Sequence, residues 1–164
     1  MEKIYFAKVR EGAIIPSKKD EDAGYDLYAC FDESTIVIPP HQTVMIPTGI
    51  ATAFSEKYYA QFQERGSTGT KGMKYGAGVI DSGYRGEWRV PISNVNDVPL
   101  VISKLDKEDI DVILKNYIYY PANKAVVQFV MLEVPKFETV EISFEELSNI
   151  KSERGTGSLG SSGK

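Results

Sequence analysis

Polar and apolar residues alternate along most of this chain in short runs. Residues 3–9 alternate with a period of two, the spacing at which successive side chains of a strand point to opposite faces. Thr35–Ile38, residues 43–46, Ile50–Phe54 and Tyr58–Gln63 repeat the pattern, with Pro39, Pro40 and Pro47 punctuating them. Further on, Tyr84, Gly86, Trp88, Val90 and Ile92 alternate with Arg85, Glu87 and Arg89, which predicts a strand with one aromatic and one charged face. Residues 98–102 predict another strand. Residues 124–132, KAVVQFVML, are nearly continuously apolar and predict a buried one. Gln128 interrupts that run, and a buried amide needs partners. Short strands at this regular spacing predict an all-β sandwich or barrel.

The period changes once. In residues 106–119 the apolar positions Ile110, Ile113, Leu114, Tyr117 and Ile118 follow the i, i+3, i+4, i+7, i+8 spacing of a helix face. Asp106 is a suitable N-cap, and Glu108 and Asp109 suit the positive end of the helix dipole. The last eleven residues, RGTGSLGSSGK, predict a flexible glycine/serine tail.

Composition narrows the chemistry more than the fold. The 164 residues fit one domain with a single real core. No apolar run approaches membrane-spanning length, and the first residues, MEKIYFAKVREG, lack a signal-peptide pattern. The expectation is a cytoplasmic protein that binds no membrane. A net charge of -4 supplies no field for nucleic acid, so a polyanionic ligand must be held by a few placed cations. Cys30 is the only cysteine, which excludes an internal disulfide and a thiolate metal cluster. His41 is the only histidine and follows a Pro-Pro turn, the pattern of an exposed loop residue. Zinc spacing, a Walker loop and a GxGxxG helix start are absent from the sequence. What remains is carboxylate chemistry with water, assisted by Mg²⁺, on an anionic substrate.

Two stretches carry candidate groups for it. In residues 75–88, YGAGVIDSGYRGEW, Asp81 sits between the apolar pair Val79 and Ile80 and the turn pair Ser82 and Gly83. A strand, an acid-bearing turn and a returning strand with Tyr84 form a plausible pocket wall. An ordinary glycine-rich hairpin with a surface Asp has the same local pattern. Residues 64–72, ERGSTGTKG, concentrate hydroxyls, glycines and two cations. Such a loop can point backbone N–H groups and an Arg at an anion, or can be a polar connection. Arg154 and the hydroxyls of Ser161 and Ser162 suit a tail that orders over a phosphate group.

Five stretches together resemble the trimeric dUTP pyrophosphatases. Residues 23–29 match the family's AGxDLxA motif, residues 65–72 its Arg-Ser-Gly loop and residues 78–86 its GVIDxxYRG motif. Residues 125–130 correspond to its apolar strand with a Gln, and residues 154–163 to its RGxGGFGSTG tail. The matches occur in family order over most of the chain. The resemblance implies a jelly-roll-like β-barrel subunit and a homotrimer whose sites are each assembled from three chains. Asp81 would orient and deprotonate a water that attacks the α-phosphorus of dUTP, releasing dUMP and pyrophosphate. Tyr84 would lie under the deoxyribose, and the backbone from Gly78 to Ile80 would pair with the uracil edge. Arg65, Gly66, Ser67 and Gln128 would contact phosphates. Asp26 would touch the water shell of a phosphate-held Mg²⁺, and Arg154, Gly157, Ser161 and Ser162 would close over the γ-phosphate.

The chain departs from the family pattern in three places. The second motif reads Arg-Gly-Ser rather than Arg-Ser-Gly, which bears on the reach of Ser67. Leu159 stands where the family usually has a base-stacking Phe, so Trp88 or Tyr84 is expected to supply the ring. Extra sequence at about residues 95–122, including the predicted helix, resembles the insertion of some phage members, which in certain cases binds a repressor. The remaining domain expectation is a single β domain over residues 1–150 and an arm over 151–164. Two alternatives stay in view: a regulatory protein that uses this fold to bind a partner, and a dCTP deaminase. The latter needs a reactive Glu ten residues after the Asp, where this chain has Pro91.

Overall fold

Most period-two runs form strands in the computed structural model, which describes residues 2–157. The strands are β1 (Ile4–Lys8), β2 (Tyr25–Tyr28), β3 (Thr35–Ile38), β4 (Thr43–Pro47), β5 (Ile50–Phe54), β6 (Tyr58–Gln63), β7 (Met73–Tyr75), β8 (Val79–Ile80), β9 (Arg89–Asn94), β10 (Leu100–Ser103), β11 (Ile118–Pro121) and β12 (Ala125–Glu133). The described residues also contain three short helices: α1 (Gly66–Gly69) and α2 (Lys107–Ile113) between strands, and α3 (Phe144–Asn149) after the last of them. The all-β expectation holds. No helix among the described residues is long and apolar enough to cross a membrane.

The strands form four small sheets, β1-β5, β11-β10-β3, β2-β12-β6-β8 and β4-β9-β7. Their inward faces share one core. Trp88 packs edge-on against Phe62 and Phe129 with ring centroids 5.9 and 5.0 Å away, and Phe129 stacks on Tyr25 at 5.1 Å. Leu27, Ile38, Ile46, Ile50, Ile92 and Ile102 belong to the same buried cluster. The chain divides into two units, Met1–Val134, which holds all the strands named above, and Pro135–Lys164.

Three expectations are corrected. The helix predicted over residues 106–119 ends at Ile113, because the chain must turn back to lay β11 parallel to β10, Ile118 opposite Leu100. A parallel pair needs a crossover connection, and α2 is that connection. Ile118 therefore belongs to a strand and Tyr117 to the connection before it, and Asn116 makes the reversal with a φ of +55°. Asp106 takes the extended N-cap conformation without a side-chain cap bond.

The second correction concerns residues 84–92, where the strand begins only at Arg89. β8 pairs with β6, whereas β9 pairs with β4 and β7. Residues 81–88 thus cross between two sheets and do not form a hairpin. The alternation is satisfied for Trp88, Val90 and Ile92, which are buried, while Tyr84 is 46% exposed. The third concerns residues 64–72, a loop by its composition, which contains the helical turn α1.

α3 was not predicted, although its start carries a signal. Ser143 Oγ accepts from the Glu146 N–H and the Glu146 carboxylate accepts from the Ser143 N–H, the reciprocal capping box of an S-x-x-E sequence.

Candidate active site

β12 organises the first half of the site. Its register sets Gln128 opposite Asp26 on β2 and Gln63 on β6. β6 then gives way to α1, and Arg65 occupies the extended N-cap position there. The buried Thr68 hydroxyl accepts from the Arg65 N–H at 3.1 Å and donates to the Arg65 carbonyl at 3.0 Å, which fixes the Arg65 backbone. Its guanidinium grips Asp26 with two parallel bonds, Nε to Oδ1 at 2.8 Å and Nη2 to Oδ2 at 3.1 Å. Nη1 donates to Ser67 Oγ at 3.2 Å and to the Ala125 carbonyl at 3.3 Å. Such a fork is geometrically specific.

Gln128 Nε2 donates to the Glu64 carbonyl at 2.9 Å, so the amide bridges the strand to the loop. Gly24 makes room for it, since a Cβ there would stand 2.6 Å from Gln128 Oε1. Asp26, Arg65, Gly66, Ser67 and Gln128 line one open cavity of about 820 Å³. Lys18 and Lys19 line it too. Lys18 Nζ donates to the Asp22 carbonyl at 2.7 Å and the Lys19 carbonyl at 3.2 Å, which holds its charge at the cavity wall.

The second half is built on the crossing segment. Asp81 follows β8 and is exposed. The Tyr84 N–H donates to the Asp81 carbonyl at 3.1 Å, closing a turn. Arg85 Nη1 stiffens that turn by donating to the Ser82 carbonyl at 2.5 Å and the Thr52 carbonyl on β5 at 3.3 Å. The Tyr84 hydroxyl donates to the Glu87 carbonyl at 3.1 Å, and its ring lies against Gly86, where a Cβ would be 2.4 Å from the hydroxyl oxygen. Asp81, Ile80 and Tyr84 share a cavity of about 290 Å³ with Met45, Val79, Glu87 and Arg89. Gly78 immediately precedes Val79 of that lining. Its carbonyl accepts from the Phe62 N–H at 2.8 Å, and a Cβ there would stand 2.5 Å from Gln61 Nε2. The two cavities share no lining residue among the described ones.

The residues suit a magnesium ion held mainly by a substrate. No group of three or more His, Cys, Asp or Glu side chains is placed to hold a metal among the described residues. Each Asp26 oxygen accepts one bond from Arg65 and keeps a further lone pair. That matches Mg²⁺, which retains several waters and takes few protein carboxylates beside substrate phosphates.

A family model described as dUTPase matches residues 10–107. The chain belongs to the dUTPase family. Deoxyuridine 5'-triphosphate nucleotidohydrolase of Hydrogenobaculum sp. is 34% identical over 165 residues, covering 98% of each chain. Two solved phage structures share the fold. The Staphylococcus bacteriophage 80alpha dUTPase with dUPNHPP has a TM-score of 0.71 at 22% identity over 99% of both chains. A mutant dUTPase from phage phi11 of S. aureus, described for its coordination of a structural Mg(II) ion, has a TM-score of 0.68 at 21% identity, covering 87% of this chain and 99% of that one.

The dUTPase motifs thus line two different cavities within one chain. Asp26, Arg65, Gly66, Ser67 and Gln128 line one; Ile80, Asp81 and Tyr84 line the other. Arg154 and Gly157 lie in the second unit, where Arg154 Nε donates to the Gly157 carbonyl at 3.0 Å. Leu159, Ser161 and Ser162 lie outside the described residues. The inverted Arg-Gly-Ser order still brings Ser67 into the cavity, in contact with Arg65. Trp88 is withdrawn as a substitute lid, because it is fully buried in the core; Tyr84 is the ring with access to its cavity. Lys18 and Lys19 were missed, and their signal was two adjacent cations just before the AGYD stretch.

Proposed function

We propose that this protein hydrolyses dUTP to dUMP and pyrophosphate. The reading is carried by membership of the dUTPase family together with a carboxylate and a tyrosine, Asp81 and Tyr84, on the wall of one cavity. Asp81 orients a water and takes its proton as the oxygen bonds to the α-phosphorus; the bond to the pyrophosphate oxygen breaks and pyrophosphate leaves. Tyr84 underlies the deoxyribose and excludes a 2′-hydroxyl, while the backbone of Gly78 to Ile80 meets the uracil edge. Cytosine would leave buried groups unpaired there, and sites of that kind discriminate by roughly 10⁴–10⁵. Arg65, Ser67 and Gln128, with Lys18 beside them, hold the phosphates. Asp26 would contact the water shell of a bound Mg²⁺, which would supply neutralisation of phosphate charge.

The separation of the two cavities supports a homotrimer with shared sites: one chain supplies Asp81 and Tyr84, a neighbour supplies Arg65 and Gln128. Arg154, Gly157, Leu159, Ser161 and Ser162 match the family's tail motif and are assigned to phosphate binding on that ground alone. A deaminase reading is disfavoured because Pro91 is buried in β9 and has no acidic group. A second role in binding a protein partner has one observation behind it. Val112 and Ile113 of α2, within the insertion, are 81% and 76% exposed. Replacing the exposed Val112 and Ile113 together by Asp would abolish capture of such a partner and spare hydrolysis.

The test is pyrophosphate release from dUTP, UTP, dTTP and dCTP with Mg²⁺. The expected result is cleavage of dUTP alone, reduced ~10²–10⁴-fold in Asp81→Asn. Intact dUTP, or equal cleavage of all four, overturns the proposal.

A further inference from the structure

Glu87 makes a set of contacts that the proposed chemistry leaves unused. Its side chain is 14% exposed. Oε1 accepts from Arg10 Nε at 2.5 Å and from the Gly49 N–H at 2.9 Å. Oε2 accepts from Arg10 Nη2 and from Arg89 Nε, each at 3.2 Å. Three separate segments therefore converge on one carboxylate: the chain just after β1, the β4–β5 turn, and the start of β9. The turn is itself constrained, because Gly49 has a φ of +68° and a Cβ there would stand 2.7 Å from Ala13. Burial pushes the Glu87 carboxyl up, but the bonds from Arg10, Gly49 and Arg89 outweigh it and hold the group below its ordinary value.

The backbone of the same residue touches the site. The Glu87 carbonyl is the acceptor of the Tyr84 hydroxyl, and Glu87 lines the cavity that holds Asp81 and Tyr84. The neighbouring Trp88 is pinned as well: its N–H donates to the Ile50 carbonyl at 2.7 Å, and its carbonyl accepts from the buried Thr48 hydroxyl at 2.7 Å. Among the described residues the Tyr84 hydroxyl is anchored by this carbonyl alone, and its ring rests on Gly86, which has no side chain to steer it.

We propose that Glu87 is a positioning residue for sugar recognition. Its carboxylate, clamped by Arg10, Arg89 and the Gly49 N–H, fixes the peptide whose carbonyl holds the Tyr84 ring where it can exclude a 2′-hydroxyl. This rests on the dUTP reading above and adds a residue to it. Glu87 itself touches no reacting atom. In Glu87→Gln the amide NH₂ would face guanidinium donors, so at least one clamp bond is lost while volume is kept. Displacement of a positioning group by about 1 Å can cost up to ~10² in rate.

The experiment compares kcat/KM for dUTP and UTP in wild type, Glu87→Gln, Arg10→Lys, Tyr84→Phe and the Glu87→Gln/Tyr84→Phe double variant, at a temperature where all are folded. Arg10→Lys keeps the charge but loses the fork, and it stands in if Glu87→Gln does not fold. The expected result is a dUTP-over-UTP preference lowered about tenfold in Glu87→Gln and in Arg10→Lys, with no further loss of preference when Glu87→Gln is added to Tyr84→Phe. A structural role alone would lower Tm and leave the preference unchanged. An unchanged preference, or fully additive losses in the double variant, overturns the inference while leaving dUTP hydrolysis standing. A wild type without dUTP hydrolysis overturns both.

Discussion

Gly24 and Gly86 each leave space for one side chain of the site. A methyl at residue 24 would meet the Gln128 amide at 2.6 Å, and one at residue 86 would meet the Tyr84 hydroxyl at 2.4 Å. Gly24→Ala is expected to swing Gln128 off the Glu64 carbonyl and raise KM for dUTP about tenfold. Gly86→Ala is expected to tilt Tyr84 and lower kcat/KM for dUTP by about ten- to a hundredfold. Steady-state kinetics of the two variants separate these effects. Glu87 also predicts a pH dependence. Its folded carboxyl lies below the ordinary value of 4.5, so its stabilisation is present above that value and is lost as pH falls through the folded pKa. Glu87→Gln should flatten the fall of Tm on the acid side of about pH 4.5 and lower Tm at neutral pH. At this scale the sequence singled out Asp81, Tyr84, Arg65 and Gln128 as candidates, because each sits in a motif of local sequence. Glu87 was not, because its clamp comes from Arg10, 77 positions away.

Elements were legible where one face alone decides them. β3, β5 and β6 appear with the bounds their alternation predicts. α2 shows the opposite case. Apolar residues at helical spacing continued into β11, and the pairing of Ile118 with Leu100 ended the helix early. Within α2 only Ile110 is buried, at 1% exposure, whereas Ile113 is 76% exposed. Ile110→Ala is therefore expected to destabilise by about 2–5 kcal/mol, and Ile113→Ala to stay within about 0.5 kcal/mol of wild type. Urea denaturation of both variants checks this, and equal losses would place Ile113 in the core. The segment from Asp81 to Trp88 failed as a hairpin for a related reason. Two adjacent strands of a chain pair only if no better partners exist, and here β6 takes β8 while β4 and β7 take β9.

At the scale of the molecule, the spacing of the two cavities makes a prediction that local geometry cannot. If Asp81 and Arg65 of one site come from different chains, two inactive variants should complement. Asp81→Asn and Arg65→Gln, each inactive alone, are expected to recover up to about a quarter of wild-type activity when unfolded, mixed equally and refolded together. Activity that stays at the level of the separate variants would show that each chain builds its own site. Sedimentation of the mixture, compared with the separate proteins, reports whether mixed assemblies formed.

The sequence by itself determined the β-rich class, several of its strands, and the candidate residues for the chemistry, because periodicity and short motifs are properties of neighbours along the chain. Only the tertiary structure decided which strands pair, where α2 stops, that Trp88 is core, and that Glu87 is clamped from three segments. Those outcomes depend on competition among partners far apart in sequence, which settle only when the whole core packs.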